Sequence, residues 1–126
     1  MDSRTVVMKL PHRVDAREAR NLLRELKELP VEEPCVVVDL SAVRHMDSAA
    51  LDVLLSCMVE VARRDGAMRL GGISPEAATV LELTRMDQVF DMFPTAADAV
   101  WNCNQIDDGG LENRAATQIQ PQPVAA

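Results

Sequence analysis

The residues best suited to chemistry lie in "VVVDLSAVRHMDSAAL", residues 36–51, where an aliphatic run ends at Asp39 and Asp47-Ser48 precede a long apolar segment. A hydroxyl at that point has three uses. It can cap a helix, since Asp and Ser are preferred N-caps. It can attack a substrate. It can also accept a phosphate, which the unpaired N–H groups and partial positive charge of a helix start would favour. The local pattern alone favours plain capping. Catalysis would need a base held by a third group, but the histidines are limited to His12 and His45, and no G-x-S-x-G turn surrounds Ser48. "RLGGIS" contains neither G-x-G-x-x-G nor the lysine of a P-loop. The cysteines, Cys35, Cys57 and Cys103, form no C-x-x-C pair or Cys/His cluster, so the expectation is reduced thiols, no metal and no cofactor. An enzyme is not indicated.

The elements that must position Asp47-Ser48 follow from periodicity and punctuation. "RTVVMKL" is a β-branched strand stopped by Pro11, and Arg13-Val14 reads as a brief second strand. Asp15 offers an N-cap to "AREARNLLRELKEL", whose Leu22, Leu23, Leu26 and Leu29 recur at helical spacing. "CVVVDL" is a continuous apolar run of the kind covered on both faces of a sheet. Residues 48–65 predict a helix ending at Gly66. "AMRLGGI" follows as a strand, and Ser74-Pro75 opens a third helix to about Met86. "QVFDMF" predicts a short closing strand, and Thr95 caps a last helix, "AADAVWNCN". This alternation implies an α/β unit, a mixed or mostly parallel central sheet of about four to five strands with about four helices packed on it. We place that domain at residues 1–103. Residues 104–126, polar and without apolar period, read as a disordered tail.

On the second helix, a wheel centred on Leu51 puts Leu54, Leu55, Met58, Val61 and Ala62 on the core side. Ala49, Val53 and Cys57 then line up among Asp52, Ser56, Glu60, Arg63 and Arg64, as a small apolar stripe beside Ser48 that could receive a partner.

With a formal net charge of −7 and a pI near 4.7, the chain is poorly suited to nucleic acid or to anionic membranes. No apolar run reaches the roughly 18 residues of a membrane span, and no signal-peptide core is seen, so the expectation is a cytoplasmic protein without membrane insertion. Trp101, Phe90 and Phe93 are its only aromatic residues, so the core must be Leu, Val, Ala and Met.

"VVVDLSAVRHMDSAALDVLL" resembles the central segment of STAS domains, above all the bacterial anti-sigma factor antagonists, in which a strand ending Asp-Leu-Ser leads to a D-S-[ST]-G-[LI] loop. "LPHRVDAREARNLLREL" and "VARRDGAMRLGGISPEAATVLELTRMDQVFDMFPTAADAV" are similar to the family's flanking segments, and the resemblance spans roughly residues 4–102. It implies a single STAS domain and a protein-binding regulator of transcription. Such a protein docks on an anti-sigma factor that is also a serine kinase, releases the sigma factor, and lets go when phosphorylated in the loop.

Carried onto this chain, Ser48 is the phosphorylation candidate. Asp15, Asp47, Ser48, Ala49, Val53 and Cys57 would form the partner-binding surface, and the protein would be a monomer or weak dimer. Ala49 stands where the family has a second hydroxyl and Ala50 where it has glycine. Those departures also suit an unswitched STAS subunit of a lipid-transport ATPase or of another multi-protein regulatory complex. The acidic chain suggests a partner with basic residues.

Overall fold

The computed structural model describes residues 4–109. Strands β1 (Thr5–Lys9), β3 (Cys35–Asp39), β5 (Ala67–Gly71) and β6 (Asp91–Phe93) form a four-stranded sheet in the order β1-β3-β5-β6. A second, two-stranded sheet joins β2 (Arg13–Val14) to β4 (His45–Met46). Every pairing is parallel, the limiting case of the mixed or mostly parallel sheet expected. Helices α1 (Ala16–Lys27), α2 (Ser48–Arg63), α3 (Pro75–Leu83) and α4 (Ala96–Gly109) complete the α/β unit. The strand β4 has no counterpart among the elements expected from sequence, and α3 stops at Leu83, short of Met86, because Arg85 turns into a left-handed conformation at φ 64°. A 3₁₀ turn at Met86–Gln88 then leads into β6.

Alternation along the strands separates two apolar clusters. Val36 and Val38 of β3, with Met68 and Leu70 of β5, point to one face, where they meet Ala19, Leu22 and Leu26 of α1 and Leu51, Leu54 and Val61 of α2. That cluster is the main core, each fully buried Leu or Val contributing about 1.5–3 kcal/mol. Cys35 and Val37 point to the other face and meet Ala99 and Cys103 of α4. The run Cys35–Val38 is buried throughout, as its unbroken apolarity demands.

The smaller face is reinforced. Cys35 and Cys103 form a disulfide, which corrects the expectation of three reduced cysteines. Spacing could not show it, because 68 residues separate partners that are brought together when α4 crosses the back of β3. Buried Arg69 of β5 donates from Nε to Asn102 Oδ1 at 2.8 Å and pairs with Asp91 across β5–β6 at 3.2 Å. Gly71 lets α4 approach, since a Cβ there would lie 2.7 Å from Ala96 Cα. α4 runs on to Gly109, past the 103/104 boundary expected from composition; the remainder of the expected tail lies outside the described residues.

Closing a loop of this length typically stabilises by about 2–4 kcal/mol. Cys103→Ser, or reduction by a dithiol, is therefore expected to lower the unfolding free energy by that amount, read as a lower urea midpoint. Fluorescence of Trp101, the single tryptophan, reads it directly from α4. An unchanged midpoint would show that α4 is held without the bridge.

Candidate functional site

Arg13 pairs with His45 and Val14 with Met46, and both Val14 and Met46 are buried, so β2 and β4 are anchored side by side. Asp47 N–H continues the ladder to Val14 O at 3.4 Å. Each strand ends at an aspartate, and each aspartate starts a helix. Asp15 Oδ1 accepts from Glu18 N–H at 3.0 Å, and Asp47 Oδ1 accepts from Ala50 N–H at 2.8 Å. The N-termini of α1 and α2 are thus set next to each other, and the two helices pack along their lengths. The β2–β4 pairing sets Asp15 beside Asp47, with Ser48 and Ala49 following in the first turn of α2.

The division of labour at Asp47-Ser48 is now definite. Asp47 is the N-cap, with extended backbone (φ −101°, ψ 169°), and Ser48 is the first helical residue, exposed. Its hydroxyl is not spent on the cap. Ala49 is exposed as well, and Ala50 is fully buried, so the family's glycine position is occupied by a methyl group that packs into the core.

The stripe Ala49, Val53, Cys57 does not survive as a surface. Cys57 is 0 % exposed and belongs to the main core, and Val53 is only half-buried, packed against that core. Cys57 is therefore withdrawn as a contact residue. The helix is so apolar that its phase was ambiguous, and the core side is turned from Leu51 toward Ala50, Leu54, Cys57 and Val61, leaving Val59 and Ala62 exposed. Burial pushes the Cys57 thiol up to about 12, so it stays protonated and inert.

Arg64 was also misplaced. Its guanidinium donates to the carbonyls of Leu26 (2.6 Å), Leu29 and Val31 (2.9 Å), closing the C-terminal end of α1 with a cation where the helix dipole favours one. It fixes the far ends of α1 and α2 to each other, as β2–β4 fixes the near ends. A lone arginine after a helix gives no sequence signal for this.

The carboxyl ends of the main strands open a shallow cleft of about 380 Å³, lined by Asp39, Ser41, Gly72, Ile73, Ser74, Pro94, Thr95 and Ala96. Ser74 and Thr95 cap α3 and α4 there, as expected. Asp39 Oδ1 accepts from Ser41 N–H at 2.9 Å, and Gly72, at φ 63°, is required because a Cβ would meet that same oxygen at 2.9 Å. The segment after β3 is bonded to the end of β5 by Leu40 N–H, which donates to Gly71 O at 2.9 Å. Among the described residues, no group of three or more His, Cys, Asp or Glu is placed to hold a metal ion, and no helix is long and apolar enough to cross a membrane.

A family model described as STAS domain matches residues 2–99. A sulfate transporter family protein from Wolinella succinogenes superposes with a TM-score of 0.76 at 12% identity, over 86% of this chain and 91% of that one. An anti-sigma-factor antagonist (STAS) domain protein from Planctomyces limnophilus gives 0.66 at 22% identity, over 78% and 89%. The SulP transporter STAS domain from Vibrio cholerae gives 0.67 at 14%, over 85% and 87%. At these identities the solved structures establish a shared fold.

Two outcomes test the geometry of the helix starts. Asp47→Ala removes the α2 cap and is expected to cost about 1 kcal/mol, read as a lower unfolding midpoint; no change would mean that Ser48 or water replaces the carboxylate. The Asp15 carboxyl is held below its ordinary value of 3.8, first by the N–H of Glu18. A depressed carboxyl stabilises the fold above its unfolded value, and that contribution is lost as pH falls through its folded one. Stability lost below about pH 4 should therefore be smaller in Asp15→Asn than in the wild type, as measured by urea midpoints at a series of pH values. Parallel pH curves for the two would refute the Asp15 assignment.

Proposed function

The chain belongs to the STAS domain family, and on that premise we propose that it is an anti-sigma factor antagonist: a non-catalytic, cytoplasmic regulator that binds an anti-sigma factor/serine kinase and releases the sigma factor. The observation that carries this reading is the placement of Ser48. It stands exposed at the first position of α2, beside the capping carboxylates Asp15 and Asp47, on a helix pair locked at both ends. A kinase can reach that hydroxyl without unfolding anything. A phosphate there would add about −1.5 to −2 charge at the rim of the contact surface formed by Asp15, Asp47, Ser48, Ala49 and the exposed part of Val53.

The added charge would be favoured by the helix end and opposed by Asp47 and Asp52. A partner fitted to the unmodified surface would then have to bury two carboxylates and a phosphate together. That conflict supplies the release step. Ala49 leaves Ser48 as the one hydroxyl of the motif, so the switch, where it operates, is a single site. The disulfide makes the compartment part of the question, since cytosolic thiols are ordinarily kept reduced.

Capture from native lysate with wild-type, Ser48→Ala and Ser48→Glu baits, run with and without dithiol, tests the proposal. The wild type and Ser48→Ala are expected to retain an ATP-binding serine kinase that Ser48→Glu retains at least about tenfold less, a difference of about 1.4 kcal/mol. Equal retention of such a kinase by all three would remove the switch and leave a constitutive antagonist. Equal retention of a transport-ATPase subunit instead would make the chain an unswitched structural STAS subunit.

A further inference from the structure

α1 sorts its charges by sign. Arg17, Arg20, Arg24 and Lys27 follow one another at spacings of three, four and three residues, all exposed, in one line along the helix. Glu18 and Glu25, with Asn21 between them, lie on the opposite flank, lining the groove against β1. The cationic line covers about 15 Å at 1.5 Å per residue. It starts two residues after Asp15, at the end of the molecule that carries Ser48.

No ion pair among the described residues offsets this arrangement; the nearby negative charges are Asp15, which interacts with Arg17, and exposed Glu28, four residues after Arg24. The ion pairs elsewhere engage Arg4, Arg44, Arg63 and Arg69. Among the described residues, none of the four cations of α1 is ion-paired; Arg24 is held instead by neutral Asn21, from Nη2 to Oδ1 at 2.9 Å. Like charges three or four apart destabilise a helix, whereas alternating acid and base would stabilise it. Arg17 in addition sits in the first turn, where the dipole opposes a cation. Arg24 and Lys27, in the last turn, are favoured by the dipole, so the cost falls on Arg17 and Arg20, at the end of α1 that the β2–β4 pairing sets beside the start of α2.

We propose that this line is an interaction surface for an acidic segment of a protein partner, with carboxylates at matching spacing. The proposal rests on reading the Ser48 end as a protein-docking site, and it gives the partner's chemistry there the opposite sign to that suggested by net charge alone. Two features favour a protein over other polyanions. The exposed large apolar side chains Val7, Val59, Leu83, Val89 and Trp101 all lie off α1, so no anchor for a bilayer accompanies the stripe. The net charge of −7 repels extended phosphate arrays, while four cations in line satisfy a short local cluster of carboxylates.

The test is an amide chemical-shift titration of the full ¹⁵N-labelled chain. The probe is a helical peptide with glutamates at three-, four- and three-residue spacing, compared with a peptide of the same composition and scrambled spacing. The spaced peptide is expected to shift resonances of residues 17–28, and to lose binding at about 1 M salt, where the screening length is about 3 Å. Arg17→Glu/Arg20→Glu/Arg24→Glu is expected to weaken it at least about tenfold, with its unfolding midpoint measured alongside. Arg63→Glu, near the far end of α2, should leave binding unchanged. No binding of the spaced peptide, equal binding of the scrambled one, or tighter binding to phosphatidylserine vesicles or a short DNA duplex at the same salt would overturn the proposal. None of these readouts involves Ser48, so the stripe can fail while Ser48→Glu still releases a partner, and the reverse.

Discussion

The surface around Ser48 depends on a two-residue parallel pairing. Val14 and Met46 are buried next to each other, and every other feature of the site follows from where the chain goes next. One strand continues through Asp15 into α1, the other through Asp47 into α2, so two helices leave the same point in the same direction. Parallel neighbours cannot be joined by a tight hairpin. Here the intervening crossover is the whole of α1 and β3, and the small sheet is therefore tied to the large one. Arg64 closes the other end by donating to three carbonyls at the exit of α1.

The two faces of the main sheet are built unequally. Most of the apolar burial lies with α1, α2 and α3, while α4 covers its face with small residues and three specific links: the Cys35–Cys103 bridge, the Arg69–Asn102 hydrogen bond and the close approach of Ala96 to Gly71. A face of alanines buries little area per residue, so directional and covalent contacts take the place of bulk. Cys57 is on the other side of the sheet, buried and protonated, and does not compete for the bridge.

Much of this was legible in the sequence because the signals were long or chemically specific. The continuous apolar run at Cys35–Val38, the caps Asp15, Ser74 and Thr95, and the Pro75 start of α3 each state a backbone requirement in residue type. β4 was invisible because His45-Met46 has neither a β-branched residue, as Arg13-Val14 of β2 has, nor a period of its own. The phase of α2 failed for the opposite reason: Leu51, Leu54, Leu55, Met58 and Val61 satisfy more than one core side, and only packing against α1 chooses between them. In the phase that packing selects, Ala50, Leu54, Cys57 and Val61 face the core, and Val59, about half a turn from Cys57, faces outward. The disulfide and the Arg64 closure are pure tertiary facts, each joining elements that are distant in sequence.

The roles of Asp47 and Ser48 bear on what kind of switch this fold can host. Were Ser48 the cap, a phosphate would remove the cap and fray the first turn, coupling modification to local unfolding. With Asp47 holding Ala50 N–H, the helix start is secured before Ser48 is reached. Ser48 already has helical backbone, and its side chain projects outward from a turn whose next residue but one, Ala50, is locked in the core. A modification at this position changes the charge of a preformed surface and leaves its backbone where it was. The charge sorting on α1 begins at the same end of the molecule, because the β2–β4 pairing sets the start of α1 beside the start of α2.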